Sequence, residues 1–172
     1  IISRSADIEK SVSRIMLGKT LNAGQICLAP DYLMVPEDKL HEVIAAAQKT
    51  VGEMYPTMLN NDEYTSVINE RHYARLSGYL AEAEERGFKV IPINPSNEDF
   101  SEQPTTHKIP PTLVIEPADD LKLMEEELFG PLLPIKTYKD FEQTIDYVNA
   151  HPRPLAAYYF GEDKREEQDV LT

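Results

Sequence analysis

Cys27 is the only cysteine of the 172 residues, and it lies in the stretch NAGQICLAPDY, residues 22–32. A free cysteine is often a small buried apolar side chain, so a core position is one interpretation. The neighbouring residues indicate another, because Gly24 allows a close backbone approach and Pro30 interrupts any helix. Backbone N–H groups on such a turn stabilise negative charge on a sulfur and on the oxygen of a group that it attacks. The residues alone leave core position and nucleophile open.

A cysteine hydrolase also needs a base, and histidine is the usual one. The chain has four histidines. His41 and His72 fall on predicted helices, His107 lies in a polar segment, and His151 lies at a predicted helix end. Nothing in their spacing relates any of them to Cys27. A Cys–His dyad therefore stays open and has no support from the sequence.

The composition narrows the partners and the compartment. The 30 acidic residues against 17 basic ones give a net charge of −13, which disfavours nucleic acid and anionic membranes as partners. One cysteine excludes an intrachain disulfide and a cysteine-only metal site, and no metal is predicted. We expect a reducing compartment, the cytoplasm. No apolar run approaches the ~20 residues that cross a bilayer.

The ends of the chain and its length suggest part of a larger protein. The first residues, IISRSADIEK, have neither an initiator Met nor the basic start and long apolar middle of a signal peptide. The length suits one domain. We therefore expect a single domain excised from a longer polypeptide.

Apolar periodicity predicts the elements that would position Cys27. Ile8, Val12, Ile15 and Met16 have helical spacing, with Ser5 or Asp7 as the cap. Further helices are predicted near residues 40–51, 63–86 and 141–148, and strands at 31–36, 88–93, 112–116, 132–138 and 155–160, with an irregular polar segment at 94–111. The strand at 88–93, FKVIPI, is predicted to be buried. Helices that alternate with apolar strands predict an α/β layer structure with a largely parallel sheet.

Two segments resemble the aldehyde dehydrogenase superfamily. LNAGQICLAPDY (21–32) resembles the active-site cysteine segment, whose core pattern is Gly-Gln-x-Cys, and EEELFGPLLPI (125–135) resembles the second hallmark, Glu-x-Phe-Gly-Pro. The Ala-Pro-Asp-Tyr continuation is similar to the fatty-aldehyde and coniferyl-aldehyde dehydrogenase branch. The order and separation of the two segments match the family, and the resemblance covers essentially the whole chain.

The resemblance implies a fold and a role for three residues. The fold is the three-layer αβα catalytic domain with a mostly parallel twisted sheet, here over residues 1–172. Cys27 matches the nucleophile, which forms a thiohemiacetal and then a thioester, and its backbone N–H belongs to the oxyanion hole. Glu127 matches the residue that accepts hydrogen bonds from the nicotinamide-ribose hydroxyls, and Phe129 matches the aromatic residue beside the nicotinamide ring. Gly24, Gln25, Gly130 and Pro131 are expected to support these segments, and Glu125 and Glu126 to be a solvated acidic turn.

The family's remaining parts have no counterpart in these residues. The general base would directly precede Ile1, and the second oxyanion donor, the cofactor-binding domain and the C-terminal tail would also lie outside the chain. We therefore expect NAD or NADP to be bound mainly by the missing domain and the isolated chain to be inactive. The resemblance further implies a small-molecule aldehyde substrate, hydrophobic or aromatic such as coniferyl aldehyde, and a dimeric or tetrameric parent protein.

Two other functions use the same residues. A cysteine-dependent esterase or acyltransferase would keep the nucleophile and need no nicotinamide cofactor. A non-catalytic structural domain would keep the fold and leave Cys27 inert to mild alkylating agents. Cofactor dependence and thiol reactivity distinguish these functions from aldehyde oxidation.

Overall fold

Helices and strands alternate along the chain, as the apolar pattern predicts. The computed structural model describes residues 1–101, 103 and 105–171. The predicted domain, 1–172, and the predicted irregular segment, 94–111, therefore include positions outside the described residues. The helices are α1 (Ile8–Thr20), α2 (Leu40–Met54), α3 (Glu70–Glu85), α4 (Lys122–Glu125), α5 (Glu142–Ala150) and α6 (Lys164–Leu171), and the strands are β1 (Leu33–Pro36), β2 (Lys89–Pro92), β3 (Thr112–Ile115) and β4 (Leu132–Tyr138).

Helix α1 leads directly into the segment that contains the cysteine. Asp7 caps it by accepting a hydrogen bond from the Lys10 N–H at 3.0 Å, so Asp7 rather than Ser5 is the cap. The predicted apolar stripe is buried, and Thr20 closes the last turn by donating to the Met16 carbonyl at 2.8 Å. None of the helices in the described residues is long and apolar enough to cross a membrane.

The strands form one mostly parallel sheet in the order β1-β4-β3-β2. β4 pairs in parallel with β1, where Leu33 lies opposite Ile135, and with β3, where Leu113 lies opposite Leu133. β2 is an antiparallel edge strand on β3. The predicted predominance of parallel pairing is confirmed.

Apolar cores lie on both faces of the sheet, which gives the predicted three layers. Alternate strand residues point to opposite faces. Leu113 and Ile115 pack with the buried sides of α1 and α2, whereas Val114 packs with Leu76 of α3 and with residues beside α4. The sheet therefore lies between a layer with α1 and α2 and a layer with α3 and α4.

Four details of the sequence prediction are wrong. Residues 155–160 form no strand, because their β-pairing is limited to a single bridge between Phe160 and Ile2. Residues 155–158 are also exposed. Segment 88–93 is not a fully buried strand, since β2 has a neighbour on one side only and both its ends are exposed. The helix predicted at 63–86 begins only at Glu70, where Asn69 caps it, and α6 was not predicted.

Candidate active site

A sharply turned loop joins α1 to β1 and contains Cys27. The 3-10 turn Leu21–Gly24 follows α1, and Asn22, Ala23 and Gly24 have φ values of 51°, 52° and 72°. Such left-handed residues reverse the chain within a few positions. A further turn follows, closed by a hydrogen bond of 2.9 Å from the Ala29 N–H to the Ile26 carbonyl.

Cys27 lies inside this second turn, and its side chain is exposed. The core interpretation of this cysteine is therefore wrong. Among residues 1–101, 103 and 105–171, no acceptor takes the Cys27 backbone N–H. An exposed thiol and an unpaired backbone N–H on the same residue are compatible with nucleophilic attack on a carbonyl and stabilisation of the resulting oxyanion.

Gln25 fixes the cysteine loop to the segment before α3. Its Nε2 donates to the Asn22 and Ser66 carbonyls, each at 3.0 Å, and its Oε1 accepts from the Ile68 N–H at 2.9 Å. All three contacts join the side-chain amide of Gln25 to backbone groups, as another peptide group would. The expected supporting role of Gln25 has a physical basis in these bonds.

The two segments that resemble family hallmarks meet at Gly24 and Gly130. A Cβ on Gly24 would lie 2.3 Å from the Gly130 carbonyl oxygen and 2.7 Å from its carbonyl carbon. A Cβ on Gly130 would lie 2.4 Å from Cδ1 of Leu76 in α3. The Gly24 position therefore requires glycine, because the atoms closest to an added Cβ belong to the backbone and its φ is positive, whereas a Cβ on Gly130 would have to displace the buried Leu76 side chain. The cysteine loop lies directly on the segment that carries Glu127 and Phe129.

Asp31 makes a second connection between the same segments. Its Oδ1 accepts a hydrogen bond of 3.0 Å from the Leu128 N–H. Lys19, at the end of α1, lies behind the loop with only 1% of its surface exposed. Burial lowers the Lys19 pKa to about 8, and the Asp31 carboxylate opposes that shift. The Asp31 carboxylate thus acts both on the Leu128 amide and on a buried ammonium.

We expect Asp31→Ala to release the Leu128 amide. A hydrogen bond to a charged acceptor is lost, so hydrogen–deuterium exchange of the peptide around Leu128 should accelerate by about tenfold. The measurement is exchange followed by mass spectrometry. Asp31→Asn is the control, because its side-chain oxygen can still accept the bond. Equal exchange in the alanine variant and the unsubstituted protein would contradict the assignment.

Glu127 and Phe129 both extend from the hallmark segment into solvent. Glu127 is exposed, and Phe129 is 40% exposed with a φ of 49°. An exposed carboxylate can accept hydrogen bonds from sugar hydroxyls, and an exposed ring can pack against a flat heterocycle. The two side chains therefore fit the nicotinamide-side contacts that the resemblance implies.

Glu126 is exposed, as expected, but it also has a protein partner. Its Oε2 accepts a hydrogen bond of 2.6 Å from the Tyr79 hydroxyl. Glu125, the last residue of α4, is exposed as expected. The acidic turn is thus joined to α3 by the hydrogen bond between Glu126 and Tyr79.

The histidines make hydrogen bonds elsewhere or lie on helices. His107 pairs with Glu70 at 2.8 Å, and His151 bonds to the Tyr147 carbonyl at 2.7 Å. His41 lies on α2 and His72 on α3. In the described part of the chain, no group of three or more His, Cys, Asp or Glu side chains could hold a metal ion.

Three positions in this site had no assigned role in the sequence prediction. Asp31 stands in the quoted cysteine segment, but a carboxylate there does not itself indicate a bond to a residue 97 positions away. Lys19 in α1 and Arg75 in α3 look like ordinary charged helix residues, although Arg75 donates hydrogen bonds to the Glu127 and Leu128 carbonyls. Their contacts depend on how the layers pack, so no local pattern in the sequence indicates them.

The comparison with known proteins agrees with the fold and with the two segments. The model of the aldehyde dehydrogenase family matches residues 1–172. A "Probable coniferyl aldehyde dehydrogenase" of Caulobacter vibrioides is 51% identical over 171 residues, 99% of this chain and 35% of that protein. The "Coniferyl aldehyde dehydrogenase" of Pseudomonas sp. strain HR199 is 50% identical over the same length, again 99% of this chain and 35% of that protein.

A solved structure extends the agreement to three dimensions. Staphylococcus aureus AldH in its substrate-bound state superimposes with a TM-score of 0.86 at 34% identity, over 99% of this chain and 35% of that one. The chain thus spans about a third of the length of the proteins that it matches. Family model, relatives and fold agree over the whole chain, which belongs to the aldehyde dehydrogenase family.

Proposed function

We propose that this chain supplies the catalytic cysteine and the nicotinamide-side contacts of an NAD(P)-dependent aldehyde dehydrogenase. The observation that carries the proposal is the backbone contact of Gly24 with Gly130. It joins a loop with an exposed thiol to a segment with an exposed carboxylate and an exposed ring. A nucleophile for the aldehyde and a surface for the hydride acceptor thus belong to one connected structure.

Cys27 performs the covalent chemistry in this proposal. Its thiolate adds to the carbonyl carbon, so a C–S bond forms and the carbonyl electron pair moves to oxygen. The Cys27 N–H stabilises that oxyanion. When bound, NAD(P)⁺ would supply the acceptor for a hydride, that is, for the hydrogen together with both electrons of its C–H bond. As the hydride departs, the oxyanion re-forms its C=O bond, which leaves a thioester on Cys27. Water then forms a C–O bond to the same carbon, the C–S bond breaks, and the carboxylic acid and the Cys27 thiol are released.

Glu127 and Phe129 position the cofactor's nicotinamide end. Glu127 accepts hydrogen bonds from the adjacent ribose hydroxyls, and Phe129 packs beside the ring. The general base, the second oxyanion donor and most of the cofactor site are assigned to other parts of a longer polypeptide. Residues 1–172 are then its catalytic domain, and the isolated chain is inactive. The single cysteine suits a cytoplasmic location for that protein.

The substrate is proposed to be coniferyl aldehyde or a similar aromatic or hydrophobic aldehyde. Support comes from two relatives named for that substrate, at 51% and 50% identity. The Ala-Pro-Asp-Tyr continuation after Cys27 indicates the same branch of the family.

The test is cofactor-dependent oxidation by the complete protein. We expect reduced nicotinamide to form with coniferyl aldehyde faster than with a short aliphatic aldehyde, measured by absorbance under equal conditions. Reactions without NAD(P)⁺ and with the isolated 172-residue chain are the controls, and both should be inactive. Ester cleavage without cofactor, and no aldehyde oxidation, would replace the proposal with an esterase or acyltransferase. Turnover by the isolated chain would overturn its predicted inactivity.

A further inference from the structure

Arg75 of α3 holds the backbone of the segment that carries Glu127 and Phe129. Its Nη1 donates to the Glu127 carbonyl at 3.3 Å, and its Nη2 donates to the Leu128 carbonyl. A guanidinium suits such a contact because it presents several donors in one rigid plane. Two successive carbonyl groups are thereby fixed to a helix of the outer layer.

These bonds fix the peptide groups on both sides of Leu128. The Glu127 carbonyl and the Leu128 N–H belong to one planar peptide group. Arg75 binds its oxygen, and Asp31 accepts its N–H at 3.0 Å. The Leu128 carbonyl belongs to the next peptide group, which begins Phe129. The directions in which the Glu127 and Phe129 side chains leave the backbone are therefore set by α3 on one side and by the cysteine loop on the other.

Tyr79 and Glu126 in turn hold Arg75 in place. Arg75 Nη1 donates to the Tyr79 hydroxyl at 3.1 Å, and that hydroxyl donates to Glu126 at 2.6 Å. The guanidinium carbon also lies 5.2 Å from the centre of the Tyr79 ring, a cation–π distance. The network returns to the hallmark segment through Glu126, one residue before Glu127.

The Arg75 position is not optimal for stability alone. Among the described residues, Arg75 Nε is the one buried side-chain nitrogen or oxygen without a hydrogen-bond partner. A buried donor without a partner costs free energy. The unpaired donor belongs to the same guanidinium that bonds to two carbonyls of the proposed binding segment. That coincidence favours a role for Arg75 in function as well as in stability.

We propose that Arg75 is a positioning residue for the cofactor, acting through Glu127 and Phe129. The inference rests on the proposed function. Arg75 itself touches neither substrate nor cofactor in this scheme. Its removal lets the 127–129 segment move, so the nicotinamide ring is held less well. The conformation of the loop that carries the Cys27 thiol is unchanged.

The experiment uses the complete protein with Arg75→Ala, Arg75→Lys and Arg71→Ala. Arg71 is the matched control, because it is exposed and lies one turn earlier on α3. We expect Arg75→Ala to raise the cofactor KM by about tenfold or more, the size expected when a charged donor loses its hydrogen bonds. Arg75→Lys should raise the cofactor KM less than Arg75→Ala does, since lysine keeps one donor group. Alkylation of Cys27 by iodoacetamide should proceed at the same rate in all variants.

A double variant tests the route of the effect. If Arg75 acts through Glu127, Arg75→Ala combined with Glu127→Gln should raise the cofactor KM less than the product of the two single effects. A lower Tm with unchanged cofactor KM would assign Arg75 to stability only and overturn the inference. A cofactor KM for Arg75→Ala equal to that for Arg71→Ala would also overturn the inference. Absence of NAD(P)-dependent oxidation in the unsubstituted protein would instead overturn the proposed function.

Discussion

Cys27→Ser in the complete protein is expected to lower aldehyde oxidation by about 10³-fold or more, the scale seen when an enzyme loses its nucleophile. A serine hydroxyl ionises far less readily than a thiol, so little nucleophile remains at neutral pH. His107 bonds to Glu70 and His151 to the Tyr147 carbonyl, so neither is an evident base for the new hydroxyl. Formation of reduced nicotinamide with a saturating aldehyde measures the loss.

The control must show that the loop is intact. Oxygen and sulfur differ little in size, and Cys27 is exposed, so the substitution should leave the Tm and cofactor binding almost unchanged. Cofactor binding can be followed by quenching of protein fluorescence. Oxidation at the unsubstituted rate would contradict the nucleophile assignment and favour a structural domain. Loss of an ester-cleaving activity alone would favour acyl transfer.

The sheet was predictable where apolar runs are bounded by residues that end strands. β1 ends at Pro36, β3 covers the first four residues of the predicted TLVIE, and β4 coincides with LLPIKTY. These strands have burial on both faces, so their composition carries the signal. Residues 155–160 have a similar composition and form no strand, because a strand needs a neighbour along its length and only Ile2 pairs with Phe160.

The sequence was sufficient to predict which two segments carry the chemistry of the site, but not how these segments contact each other. The cysteine and hallmark segments indicate which residues react or bind, but their separation along the chain does not indicate how they touch. That contact depends on two glycines and on Asp31, and each has a partner far away in sequence. Arg75 was not identified for the same reason, since its partners are backbone carbonyls, which every sequence contains.

Gly24→Ala is the second substitution with a large expected effect, because it separates the two segments. The new Cβ would lie 2.3 Å from the Gly130 oxygen. That oxygen belongs to the backbone, and the Cβ is held rigidly by the backbone of residue 24, so one segment must move. The φ of 72° adds strain for any residue with a Cβ. We expect oxidation to fall by about 10²-fold, the loss that a displacement of ~1 Å at a reacting group can cause. The rate of oxidation and the Tm should both be lower.

Two other glycines separate the causes of this effect. Gly87 has a φ of 82°, and a Cβ added there would meet no atom within 4 Å, so Gly87→Ala introduces backbone strain without a clash. Gly78 lies within α3 with the same open space, and alanine there should be neutral or slightly stabilising. If Gly24→Ala loses no more activity than Gly87→Ala, the close approach to Gly130 is not needed for catalysis. A larger loss at Gly24 than at Gly87 means that activity depends on the cysteine loop and its close approach to Gly130, and that positive-φ strain in another turn does not produce the same loss.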